Sequence, residues 1–121
     1  MKGHEDLVVW QKAMDLVISV YSVTRDFPKS EMFGLASQMQ RAAVSVPSNI
    51  AEGHALKQTQ AYARHLAIAS GSLAELQTQT EIARRLGHAG DWEKLIAAAR
   101  EVGRMLAGLR RSLRECAKSF S

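Results

Sequence analysis

Four histidines and one cysteine are the side chains best suited to acid–base, metal or nucleophilic chemistry, and their spacing supports none of these. His4, His54, His65 and His88 are scattered. None belongs to a Glu-x-x-His pair or a His-Glu-x-x-His run, the spacings that set two ligands on one helix face. Arg84 and Arg85 stand too close to His88 for the arginine–histidine motif of helical-bundle ribonucleases. Cys116 falls on the apolar side of a C-terminal helical pattern and reads as core. Gly-rich phosphate loops and nucleophile elbows are missing as well. The expectation is a protein that is not an enzyme, with no metal and no cofactor.

Charge offers more. The net charge is +4, and six basic residues against two acidic ones between Arg100 and Lys118 hold all of it. Arg100, Arg104, Arg111, Arg114 and Lys118 recur so that a helix gathers them into an arc of about 80°, away from Leu106, Leu109 and Leu113. Such a row can follow a phosphate backbone and release counterions. It can equally be a solvated face, or meet acidic residues of a neighbouring subunit. No aromatic residue interleaves with it, which argues against base stacking on single strands.

A second polar row lies in residues 38–53. Gln38, Arg41, Ser45, Ser48 and Glu52 share one side of a helix. With Asn49, Ser72 and Glu75 they suit a subunit interface built on charge-assisted hydrogen bonds, or a small-ligand cleft. The opposite side carries Met39, Ala42, Ala43, Val46 and Ile50. Pro47 sits in the middle, where a helix interior normally loses about 3 kcal/mol. The apolar phase runs straight through, so one Pro-kinked helix is expected, with Ser45 or water meeting the freed carbonyl.

Four helices position these rows. The first runs from about Val8 to Arg25 on Trp10, Met14, Val17, Ile18 and Tyr21, and Pro28 closes it. The second starts at a Ser30 cap and stops at Gly53, or frays to Leu56. The third, capped by Thr59, runs to about Leu86 on Tyr62, Leu66, Ala69, Leu73, Leu76, Thr80 and Ala83. Ile68 and Ile82 fall outside that face, which hints at an oligomer. Gly71 beside Ser70 and Ser72 suggests close packing against another helix. Gly87 to Gly90 form a turn, and Asp91 caps a fourth helix bearing Leu95, Val102, Leu106, Leu109, Leu113, Cys116 and Phe120. Short connections make neighbours antiparallel. The fold expected is all-α, a single up-down-up-down four-helix bundle over residues 1–121. With one cysteine, no signal-peptide pattern and no run of roughly eighteen apolar residues, a cytoplasmic protein off the membrane is expected.

The motifs resemble those of the four helix bundle protein family, also called 23S ribosomal RNA intervening-sequence proteins. Its Leu-x-Val-Trp-x-x-Ala opening stands here as Leu7, Val9, Trp10 and Ala13. Its long second-helix motif stands as Gln38, Arg41, Ala42, Ser45, Val46, Pro47, Asn49, Ile50, Ala51, Glu52 and Gly53. A third-helix pattern stands as Ala69, Gly71, Ser72, Glu75 and Leu76. The resemblance spans about residues 5 to 115, and the fourth helix carries no family signature. Relatives include the basic, pentameric accessory protein of diversity-generating retroelements. The resemblance implies a homo-oligomer, a pentamer by that analogy, that works with RNA or DNA. The alternative is a protein-interaction or scaffold subunit whose basic row serves subunit contacts.

Overall fold

The computed structural model describes residues 3–119, and side chains as far as residue 116. Four α-helices follow a short 3-10 turn at His4–Asp6: α1 (Val8–Thr24), α2 (Leu35–Ala55), α3 (Thr59–Arg85) and α4 (Trp92–Ser119). No strand occurs among the described residues.

Side-chain pairings give the directions. On α2 and α3, Ser45 meets Ser72 while Asn49 meets His65, so one helix descends as the other climbs. Thr24 of α1 accepts from Gln40 of α2, while Trp10 and Met14 lie near Pro47 and Ala51. Lys12 pairs with Glu101, and Val23 lies near Asp91. Leu73 abuts Gly103, and Thr80 lies near Ile96. Every adjacent pair is antiparallel. Helices α1 and α3 each touch α2 and α4 but not one another, so they occupy opposite corners of an up-down-up-down bundle.

The core is built from Ala13, Leu16 and Val20 of α1, Met39, Ala43, Val46 and Ile50 of α2, Leu66, Ala69 and Leu76 of α3, and Leu95, Val102 and Leu106 of α4. On α1 this corrects the sequence reading. Val9, Ala13, Leu16 and Val20 face inward, whereas Met14, Ile18 and Tyr21 are exposed. The helix is apolar on two sides. Its smaller residues take the inside, because the interior leaves little room and α2 and α4 must both approach.

Helix ends differ in detail from expectation. Ser30 lies in a 3-10 turn, Lys29–Glu31, and does not cap α2, which begins after Gly34. Thr59 is the first residue of α3 rather than its cap, and Gln58 before it makes no side-chain cap bond. Asp91 does cap α4, with its Oδ1 accepting from the Lys94 N–H at 3.2 Å. Gly87, at φ 78°, ends α3 in the left-handed conformation that a glycine adopts most cheaply. His88 then donates to Glu31 at 3.0 Å, and the Trp92 indole donates to the His88 carbonyl at 2.8 Å. Phe27 lies against both rings, which closes this end of the bundle.

Helix α2 continues unbroken through buried Pro47 and past Gly53. Gly53 is a contact and not a stop. A Cβ there would lie 2.7 Å from the His65 Cβ, so its absence is what lets α3 approach. Gly71 behaves in the opposite way from expectation: nothing lies within 4 Å of where its Cβ would be, and it faces solvent.

Candidate nucleic-acid interface and the polar seam

Arg100, Arg104, Arg111 and Arg114 all stand exposed on α4. None of the four enters an ion pair with a described residue. The acid beside Arg100, Glu101, is instead engaged at 3.6 Å by Lys12 of α1. Arg100 also edges a groove of about 330 Å³ between α3 and α4, lined by Gln77, Thr80, Glu81, Ile96 and Ala99. The Lys118 side chain lies outside the described residues, as does Phe120. Cys116 is exposed rather than core, because α4 has by then outrun the buried layers that end near Leu106.

The arginines of α3 are differently placed. Arg84 and Arg85 both close on Glu81, at 2.6 and 2.8 Å. Their donated hydrogen bonds hold the Glu81 carboxyl down to about 2, and the same bond raises the Arg84 guanidinium above its ordinary range. That cluster holds a carboxylate between its two cations, whereas no described acid pairs with the four arginines of the α4 row.

The second-helix motif builds a seam between α2 and α3. Asn49 Nδ2 donates to the Ser45 carbonyl at 2.8 Å and to Ser45 Oγ at 3.0 Å. That fixes the amide, so its Oδ1 faces His65 Nδ1, which donates to it at 3.0 Å. His65 Nε2 lies 3.3 Å from a Glu52 oxygen. Ser45 Oγ shares a hydrogen bond of 2.7 Å with Ser72 Oγ. The structure therefore joins Ser45, Asn49, Glu52 and Ser72 of the expected set, with Gly53 as the close approach. Gln38, Arg41, Ser48 and Glu75 stay exposed and outside the seam. Ser45 does not turn back to the carbonyl freed by Pro47, since its hydroxyl is engaged with Ser72 and Asn49.

Sequence reasoning missed His65. It is buried at 7% exposure and supplies the central link. One signal was available: it follows Asn49 by 16 positions, a spacing that two antiparallel helices joined by a short turn place side by side. Chemically the seam orients and does not activate. A serine nucleophile needs a base within hydrogen-bond reach, and the Asn49 amide separates Ser45 from the imidazole. Next to it, burial raises the Tyr62 phenol above its ordinary value. Among the described residues no cluster of three His, Cys, Asp or Glu could hold a metal ion.

The seam, the proline between its serine and asparagine, and the glycine under His65 together form a signature that can be compared with known proteins. The family model described as 23S rRNA-intervening sequence protein matches residues 5–108. The chain belongs to this family. Its match begins within the N-terminal 3-10 turn, covers α1, α2 and α3 and stops within α4, so the α4 row from Arg111 onward lies past the shared region. Among curated proteins none matches the chain.

Proposed function

We propose that this protein is a non-enzymatic, oligomeric helical module that holds RNA or DNA by phosphate contacts along the exposed row of α4. The observation that carries the reading is the set of four exposed arginines with no acidic partner among the described residues, the acid beside Arg100 being engaged by Lys12 of α1. Long, unpaired guanidiniums in a row match a polyanion better than a compact ligand. The family's association with the 23S rRNA intervening sequence supports an RNA partner and a cytoplasmic setting. No described helix is long and apolar enough to cross a membrane.

Assembly strengthens the reading, because one row makes few contacts and several joined copies raise the effective concentration of the others. A homo-oligomer, with the pentamer as the stoichiometry the family resemblance implies, is part of this proposal. The test is Arg104→Glu with Arg111→Glu. The double variant should lose its shift of an RNA or duplex DNA probe while light scattering returns the wild-type mass. Retained binding refutes the phosphate-contact reading. Loss of mass instead assigns the row to subunit contacts.

A further inference from the structure

Two opposite corners of the bundle carry large apolar residues on their outward sides. On α1 these are Met14, Ile18 and Tyr21, with Ile18 64% exposed; on α3 they are Ile68 and Ile82, at 45% and 44%. Helices α1 and α3 do not touch, and because each runs antiparallel to α2 they point the same way. A two-fold contact of the α1 row with itself would leave the α3 row in water. A head-to-tail contact, α1 of one copy on α3 of the next, covers the α1 row together with the Ile68 end of the α3 row.

Around Ile68 the two helices also come into register at an offset of fifty positions, whereas Ile82 lies past the end of α1 in that register. Ile18 corresponds to Ile68, Tyr21 to Gly71 and Arg25 to Glu75. Gly71 has open space where a Cβ would sit, which leaves room for a tyrosine ring from outside. Arg25 and Glu75 are both exposed and have opposite charge. Asp15, flanking Ile18, and Arg64, one turn before Ile68, are a second exposed pair of opposite sign. None of these four makes an ion pair with a described residue of its own chain.

We infer that the occupant of the α1 row is the α3 row of a second copy, packed parallel, with Ile18 beside Ile68, Tyr21 over Gly71, and the pairs Arg25–Glu75 and Asp15–Arg64 at the edges. This rests on the oligomeric part of the proposed function and names the surfaces that make it. The contact uses two diagonal corners. Helix α4 stays clear of it, so each copy adds its arginines to one common wall.

The test mixes two variants. Ile18→Asp spoils the α1 row and Ile68→Asp the α3 row; both sites are exposed, so circular dichroism should show unchanged helicity. Each variant alone should fall to monomer mass in light scattering. Mixed in equal amounts they should form a dimer and stop there, since one intact α1 row then meets one intact α3 row. Separately, Glu75→Arg should weaken association about tenfold, and Arg25→Glu in the same chain should restore it. The inference is overturned if both single variants keep the wild-type mass, if only one dissociates, or if the mixture stays monomeric. A wild-type chain that is itself monomeric overturns the oligomeric reading as well, whereas an intact wild-type oligomer with unaffected variants overturns this inference alone.

Discussion

Replacing Gly53 by alanine probes the close approach of α2 and α3 on which the seam depends. The new Cβ would lie 2.7 Å from the His65 Cβ and 3.1 Å from Tyr62 Cδ1. Carbon atoms in contact prefer about 3.5–4.0 Å, so α3 must withdraw by about 1 Å. The His65 Cβ is fixed to the backbone and cannot swing aside as a chain end would. A withdrawal of that size stretches the 3.0 Å bond between His65 and Asn49 past hydrogen-bond range. Overpacking of this kind costs about 1–3 kcal/mol, and the better helix propensity of alanine offsets about 0.5–1 kcal/mol. The net expectation is a destabilisation of about 1–2 kcal/mol. Gly108→Ala is the control: it is also in a helix, nothing lies within 4 Å of its Cβ position, and it should stabilise by about 0.5–1 kcal/mol. Urea unfolding at fixed protein concentration measures both, as opposite shifts of the midpoint with unchanged slope. If Gly53→Ala stabilises as Gly108→Ala does, the close-packing account of the motif is wrong.

Asn49→Ala should cost about 1–3 kcal/mol in the same assay, because it leaves the buried His65 Nδ1–H without its acceptor. Asp91→Ala should remove the cap of α4 and cost about 0.5–2 kcal/mol, whereas Ser30→Ala, which caps nothing, should stay within about 0.5 kcal/mol of wild type. The Glu81 carboxyl should titrate near 2 instead of its ordinary 4.5 in a carboxyl-detected NMR titration. Since its folded value is depressed, the stabilisation from its two arginines is complete above 4.5 and is lost as pH falls toward 2. Glu81→Gln should flatten the acid limb of the stability profile over that window, and an unchanged limb would count against the assignment.

The second helix was the most legible element, because Met39, Ala43, Val46 and Ile50 keep one phase across Pro47 and their inward side is unambiguous. The first helix was not. Its apolar residues cover two sides, and periodicity cannot say which set meets the core; Ala13 and Leu16 won over Met14 and Ile18 because two neighbours crowd that side. The Asp91 cap was readable from residue type, whereas Gly34 took the start of α2 from Ser30 through a backbone bend no propensity marks. Glycines were ambiguous for the same reason: Gly53 and Gly71 look alike in sequence, and only the packing separates a helix contact from open surface. Of the polar seam, Ser45 and Glu52 were visible in a row on the second helix, and Asn49 and Ser72 as polar residues to set beside it. His65 was not, since it reads as one of four scattered histidines and nothing in the spacing of its own helix marks it as a link to Asn49. The cations of α4 could be placed on one face from spacing alone, but spacing could not show that Glu101, beside Arg100, is engaged by Lys12 of α1.

The salt dependence of probe binding tests the central claim most directly. With four arginines on phosphates, a duplex probe should bind with a log–log slope near −3.6 per subunit, from about −0.9 per contact. The Arg104→Glu and Arg111→Glu variant, at wild-type mass, should show no probe shift across the same titration. Wild-type protein that binds with no salt dependence, or that shifts no RNA or duplex probe even at low salt, would contradict the account.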